Sequence, residues 1–131
     1  MLNPIVHVEF QVSDGKRAQE WYHKLFGWEM QHIEPMNYII FDSKDGHIGG
    51  GLNPTDKLTG TIVYIRVDDV YHRVNMAKEH GAEIVREVAP IPDVGWFALI
   101  KDLDGNILGL IDDSEKARSS ATKVVKAGEP S

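Results

Sequence analysis

The sequence predicts an α+β fold made of two tandem βαβββ modules. Three observations predict it: strand-like alternation in residues 5–14, a helical period directly afterwards, and the return of the same order of elements after residue 60. Each module would present one helix to one face of a four-stranded mixed sheet. We therefore expect two curved mixed sheets that enclose a cleft.

The first module opens with the stretch IVHVEFQVSD, in which apolar and polar residues alternate. Successive side chains of a strand point to opposite faces, so the two sets separate. The apolar set, expected to pack on a helix, is Val6, Val8, Phe10 and Val12. The polar residues His7, Glu9 and Gln11 should face the cleft.

A helix of about three turns is predicted for DGKRAQEWYHKLFG. Asp14 can cap its first turn, and Gly27 suits the left-handed position after its last turn. Three short strands follow, in WEMQHIEP, NYIIFDS and HIGGGL, and Asp45-Gly46 favours a tight turn between the last two. Residues 53–56, Asn-Pro-Thr-Asp, read as a connector.

The second module repeats this order. The segment TIVYIRVDD matches VHVEFQVSD, so Asp69 stands opposite Asp14 and the predicted inner residues are Ile62, Tyr64 and Arg66. After the second helix, AEIVREV, GWFALIK and NILGLI supply three strands, with a two-proline loop before Trp96. The modules span about residues 4–53 and 60–113, within one domain of residues 1–113.

The segment from Ser114 to Ser131 is rich in Ser, Lys, Ala and Glu and has few large apolar residues. It is predicted to be either a mobile tail or a marginal helix. We expect no chemistry there.

Composition narrows the class of protein. The formal net charge is −6 and no Lys/Arg cluster occurs, which argues against nucleic-acid binding. There is no cysteine, no apolar run long enough to span a membrane, and no signal-peptide pattern at the start. We therefore expect a cytoplasmic protein without a membrane partner.

The repeat carries a family resemblance. A histidine on the first strand, the helix end WYHKLFGW, the segment VDDV before the second helix and DLDGN before the last strand resemble the vicinal oxygen chelate superfamily. That superfamily includes glyoxalase I, bleomycin-resistance proteins and extradiol dioxygenases, and the resemblance covers about residues 4–113. It implies four metal-ligand positions, two per module, usually His or Glu.

Carried over position by position, these four slots fall on His7, near Gly50, on Ile62 and on Gly109. Glycine and isoleucine have no side-chain donor, and a single imidazole would hold a divalent ion too weakly to compete with water. We therefore expect no family-type metal site and no cofactor. A weakly bound divalent metal on His7 is the alternative.

The sequence leaves several roles open for the cleft residues. His7 could be a weak metal ligand, a catalytic base together with Glu9, or a hydrogen-bonded histidine. Arg66 could pair with Glu9 across the cleft or receive a substrate carboxylate or phosphate. The predicted ligand-binding residues are His7, Glu9, Gln11, Tyr38, Tyr64, Arg66 and Trp96.

Three hypotheses follow from these residues. The first is a metal-independent protein of the superfamily that binds a small organic molecule in its cleft. The second is an enzyme, either a metal-dependent lyase, isomerase or dioxygenase or a metal-free acid–base catalyst using His7 and Glu9. The third is a structural or regulatory dimer. A homodimer is expected because such open sheets and an aromatic-rich surface favour pairing.

Overall fold

A computed structural model describes residues 2–42, 46, 48–58 and 60–128 of the chain. The chain divides into two compact units, an N-terminal unit of residues 5–63 and a C-terminal unit of residues 64–131 with residues 1–4. The division falls within the fifth strand, close to the boundary between the predicted modules. The predicted turn at Asp45-Gly46 lies partly outside the described residues, and His47 lies wholly outside them. Organisation as a single domain stays a prediction.

The N-terminal unit is a βαβββ module, as predicted. Its elements are β1 (Ile5–Val12), α1 (Gly15–Phe26), β2 (Met30–Ile33), a single 3-10 turn (Glu34–Met36), β3 (Tyr38–Phe41) and β4 (Gly49–Pro54). The strand order is β2-β3-β4-β1. β1 runs parallel to β4, whereas β3 is antiparallel to both of its neighbours, so the sheet is mixed.

The C-terminal unit repeats the module and adds a third helix. Its elements are β5 (Ile62–Arg66), α2 (Val70–Glu79), β6 (Glu83–Ile91), β7 (Gly95–Lys101), β8 (Ile107–Asp112) and α3 (Glu115–Gly128). The strand order is β5-β8-β7-β6, with β6, β7 and β8 antiparallel. The predicted α+β fold class and the βαβββ order are confirmed.

Both predicted helix starts have the expected caps. The side chain of Asp14 accepts a hydrogen bond from the Arg17 backbone N–H at 3.1 Å, and Asp69 does the same for His72 at 3.1 Å. Gly27 ends α1 at a φ of 70°, which a residue with a side chain rarely adopts. These local signals fix where each helix begins and where α1 ends.

The C-terminal unit has a closed core between α2 and its sheet. The core residues are Val67, Val70, Val74, Ala98, Ile100 and Leu110. Val70 and Val74 are the α2 residues in this core. In the N-terminal unit, by contrast, α1 has no buried residue. Its sheet buries Ile39 and Leu52 instead.

The predicted two-proline loop before Trp96 is wrong. β6 continues to Ile91, with Pro90 paired to Trp96, and the backbone N–H of Val94 closes a tight turn onto Ile91 at 3.1 Å. Proline cannot donate to a ladder, but β6 is the last strand in the order and one side of it needs no donor. The segment therefore forms a hairpin. Similarly, β4 includes Asn53 and Pro54, which the sequence placed in a connector.

A mobile tail and a marginal helix were the two alternatives for the C-terminal segment. Residues 115–128 form the helix. α3 packs on β6 and β7 through small side chains, Ala117 and Ala121, which are 5% and 0% exposed. The sequence looked marginal because it lacks large apolar residues. Alanine nevertheless permits close packing and favours helix. Among the described residues, no helix has both the length and the apolar character that a membrane crossing needs.

We predict that Ala121→Leu destabilises the protein by about 1–3 kcal/mol, because the added methyl groups would overpack a site with no free space. Ala127→Leu is the matched control, since Ala127 lies on the exposed side of the same helix and should change stability by less than about 0.5 kcal/mol. Urea denaturation of both variants measures the difference. Equal stability of the two would contradict the docking of α3.

Candidate functional site

The polar face of β1 forms the candidate site of the N-terminal unit. His7 and Glu9 stand opposite Gly49 and Gly51 in the parallel pairing with β4, and Gln11 stands opposite Asn53. Val8 and Phe10 point to the other side, where the Phe10 ring stacks on Tyr22 of α1. The predicted separation of polar and apolar faces is therefore present along β1.

His7 is joined to a tyrosine of β3. Its Nε2 and the Tyr38 hydroxyl lie 2.7 Å apart, and the two rings are stacked with centroids 6.1 Å apart and planes 23° from parallel. Burial lowers the pKa of His7 below its ordinary value of 6.5, because desolvation disfavours the charged ring. At neutral pH the imidazole is uncharged and either accepts the tyrosine proton or donates its own to the hydroxyl oxygen.

Glu9 is a buried acidic residue, with 6% of its surface exposed. Its Oε2 accepts a hydrogen bond from Asn53 Nδ2 at 3.3 Å. A buried carboxylate needs such donors, because its loss of hydration is otherwise costly. Asn53 was not among the predicted site residues. The signal that could have found it is the parity it shares with Gly49 and Gly51 on β4.

A tyrosine ring covers a glycine in each unit. A Cβ atom added to Gly51 on β4 would overlap the Tyr38 ring, and one added to Gly109 on β8 would overlap the ring of Tyr64 on β5. Both pairs lie on the face of the sheet turned away from the helix of their unit. Gly51 and Gly109 therefore leave the space that the tyrosine rings fill.

The predicted ligand position near Gly50 falls where neighbouring residues of β4 face opposite sides of the sheet. Gly50 is paired with Val8, and an added Cβ there would meet Phe41 on the helix side. The residue on the His7 side is Gly51. A one-residue slip moves a side chain to the opposite face.

Arg66 is held by Asp113, a partner that the sequence did not predict. Its Nε and Nη2 donate to the two carboxylate oxygens at 2.8 and 2.9 Å. The hydrogen bond from Arg66 lowers the pKa of Asp113, and the same bond raises the pKa of Arg66. This ion pair lies within the C-terminal unit. The guanidinium nitrogens Nε and Nη2, which could have received a substrate carboxylate or phosphate, are already bonded to Asp113.

Trp96 lies on the helix side of its sheet, not on the side that carries Tyr64 and Gly109. It shares the parity of Ala98 and Ile100 on β7 and packs against the core. Its Nε1 donates to Ser120 Oγ of α3 at 2.8 Å. Trp96, predicted as a ligand-binding residue, therefore lies on the other side of the sheet from Tyr64. The alternation of side chains along the strand GWFALIK could have indicated on which face of the sheet Trp96 lies.

Potential metal ligands do not cluster in the part of the chain that the structure describes. Within residues 2–42, 46, 48–58 and 60–128, no three His, Asp or Glu side chains are close enough together to hold an ion. The residues carried over as ligand positions fit the group poorly. Ile62 and the two glycines have no donor, and His7 Nε2 is already bonded to a hydroxyl. Of the four positions that the resemblance implies, His7 is the one with a metal-binding side chain.

The chain belongs to the Glyoxalase/Bleomycin resistance protein/Dioxygenase superfamily, whose family model matches residues 4–110. This match covers both units and confirms the resemblance seen in the sequence.

Named relatives agree with this assignment. The chain is 32% identical over 86 residues to the protein named "Putative glyoxylase CFP32" of Mycobacterium bovis and of Mycobacterium tuberculosis. The match covers 63% of this chain and 32% of the relative. The chain thus spans about a third of the length of these relatives.

Solved structures share the fold. The Mn(II)-bound glyoxalase of Novosphingobium aromaticivorans superposes with a TM-score of 0.65 at 20% identity, over 86% of this chain and 39% of that one. Methylmalonyl-CoA epimerase of M. tuberculosis also gives 0.65, at 18% identity, over 88% of this chain and 91% of that one. At such identities the likeness concerns the fold.

We predict that stability falls as the pH drops below about 6.5, and that His7 contributes to this fall. The folded pKa of His7 lies below the unfolded value of 6.5, so the unfolded state takes up the proton first. The stabilisation is thus present above pH 6.5 and declines as the pH falls toward the folded pKa. Urea denaturation from pH 7.5 to 5 measures it.

His7→Gln should flatten this decline, whereas the exposed control His72→Gln should leave its slope as in the wild type. An unchanged slope in His7→Gln would contradict the burial argument.

Proposed function

We propose that the protein binds a small organic molecule on the His7 face of its N-terminal unit, without a metal ion. The observation that carries this proposal is the pair of tyrosine-covered glycines. At Gly51 and Gly109 the chain has no donor, and the space beside each is occupied by a ring. A ligand must therefore be held by organic groups.

The groups available on this face are suited to a polar, partly aromatic ligand. Tyr38 and His7 offer ring surface together with a hydroxyl and an uncharged imidazole, and Glu9 and Gln11 add acceptors and one amide donor. Small-molecule sites usually combine apolar surface with a few fixed polar groups. That Tyr64 and Arg66 also contact the ligand stays a prediction.

A second candidate is a metal-free acid–base enzyme, favoured by the bond between His7 and Tyr38. A neutral imidazole can accept a proton from a carbon or oxygen acid. The Tyr38 hydroxyl, 2.7 Å from His7 Nε2, can then stabilise the charge that forms or pass the proton on. Glu9 would then orient the substrate. The names of the fold relatives, a glyoxalase and an epimerase, are those of enzymes. A structural or regulatory role without pocket chemistry is the remaining alternative.

A thermal-shift screen against small metabolites and antibiotics tests the first proposal. A true ligand raises the melting temperature by mass action. We expect Tyr38→Phe to reduce the shift produced by a hit, since the hydroxyl is lost while the ring still covers Gly51. Tyr22→Phe, in α1 on the other face, is the matched control and should retain the full shift. A hit that responds equally to both variants would not bind on the His7 face.

Metal analysis of protein purified without chelators separates the metal-dependent alternative. We expect metal well below one equivalent and no loss of ligand binding after dialysis against a chelator. Near-stoichiometric nickel, zinc or iron that depends on His7 would overturn the metal-independent proposal. Proton exchange at the acidic carbon of a hit, lost in His7→Ala, would favour the acid–base enzyme instead.

We also propose a homodimer formed through α1. The outer face of this helix exposes Trp21, Leu25 and Phe26, each more than half accessible. In the C-terminal unit α3 adds cover beside α2, but the N-terminal unit has only α1 on its helix side. A second copy of the chain supplies the missing cover and would bury the three side chains.

We predict that Phe26→Glu shifts the protein toward monomer, because a charge placed in an apolar contact must lose its hydration. Leu103→Glu is the matched control, since Leu103 is 79% exposed and lies in the turn between β7 and β8. Sedimentation velocity at several concentrations measures the change. A wild-type chain that stays monomeric at high concentration would refute the dimer.

A further inference from the structure

A groove with a volume of about 350 Å³ lies on the helix side of the C-terminal unit. It is bordered by the first turn of α2, the first two turns of α3 and the indole of Trp96. It therefore lies on the opposite side of this unit's sheet from Tyr64 and Gly109. Neither the family fold nor the proposed function assigns it a role.

Two aromatic rings form a corner of this groove. The centroids of Tyr71 and Trp96 are 6.0 Å apart, and their planes are inclined by 53°. The Trp96 ring is fixed by its bond to Ser120, and Tyr71 is 57% exposed. The faces of such rings carry negative electrostatic potential and attract cations.

The charged residues of the groove also favour a cation. Asp69 and Asp112 contribute two carboxylates, and Lys116 contributes one ammonium group. Each carboxylate uses one oxygen for a local backbone N–H, that of His72 for Asp69 and that of Ser114 for Asp112. The chain as a whole has a net charge of −6, which adds to the attraction for a positive ligand.

The N-termini of α2 and α3 would ordinarily attract an anion, but both are capped by the chain itself. Asp69 caps α2, and the hydroxyl of Ser114 accepts from the Ala117 N–H at 3.2 Å to cap α3. An incoming anion would have to displace these caps and approach two carboxylates. The groove is thus better matched to a cation.

We propose that this groove binds an organic ammonium ion, with its alkyl groups against the rings of Tyr71 and Trp96 and its charge near Asp112. Lys116, which also lines the groove, opposes the ligand because it carries a charge of the same sign. This site does not depend on the proposed function of the His7 face.

Titration with tetramethylammonium chloride, at ionic strength held constant with sodium chloride, tests the proposal. Indole N–H cross-peaks in ¹H–¹⁵N NMR spectra distinguish Trp96 from the other two tryptophans, once Trp96→Phe has assigned its peak. We expect a saturable shift of the Trp96 peak alone. The uncharged analogue tert-butanol should produce no comparable shift. An equal response to tert-butanol, or equal shifts of all three indoles, would overturn the proposal.

Substitutions in and near the groove test whether it prefers a positively charged ligand. Tyr71→Leu should weaken binding about two- to fivefold, the value of a cation–π contact at an exposed site. Asp112→Asn should weaken it as well, whereas Asp104→Asn, a carboxylate in the β7–β8 turn, is the matched control without effect. Lys116→Gln should strengthen tetramethylammonium binding. Weaker binding in Lys116→Gln would refute a cation site, and the same spectra show whether each variant is folded.

Discussion

The tyrosine ring that lies over a glycine is the constraint on which the site depends. Tyr38 can cover β4 only because Gly51 has no side chain, and Tyr64 can cover β8 only because Gly109 has none. A side chain at either glycine would meet the ring, so the present packing requires glycine at both positions. The same packing solution in both units places a tyrosine ring on the face of the sheet turned away from the helix.

The consequences for chemistry centre on His7. Its Nε2 is hydrogen-bonded to the Tyr38 hydroxyl, and burial lowers its pKa, which favours the neutral ring. A neutral imidazole beside a hydroxyl can serve a ligand as donor or acceptor, and it can also move a proton. The two proposed functions, ligand binding and acid–base catalysis, would therefore use the same pair of groups. They differ in whether the ligand has an acidic atom within reach.

The two units have different surroundings although they share a module. The C-terminal unit has a closed core and an additional helix, α3, which also forms one wall of the aromatic groove. The N-terminal unit leaves the apolar face of α1 exposed. Duplicated modules can thus acquire separate roles, because the covering elements outside the repeat determine which surfaces remain open.

The sequence by itself determined the order of elements, the helix starts at Asp14 and Asp69, the two faces of β1, and the family. These depend on local periodicity, capping and a repeat that can be read along the chain. Only the tertiary structure decided that Gly51 and not Gly50 lies on the His7 face, that Asp113 holds Arg66, and that Trp96 faces α3. Strand register and side-chain partners are set by hydrogen bonds between distant segments, and one residue of slip reverses a face. Likewise, Ala121 is buried because α3 packs on β6 and β7, and the composition of α3 alone does not reveal this contact.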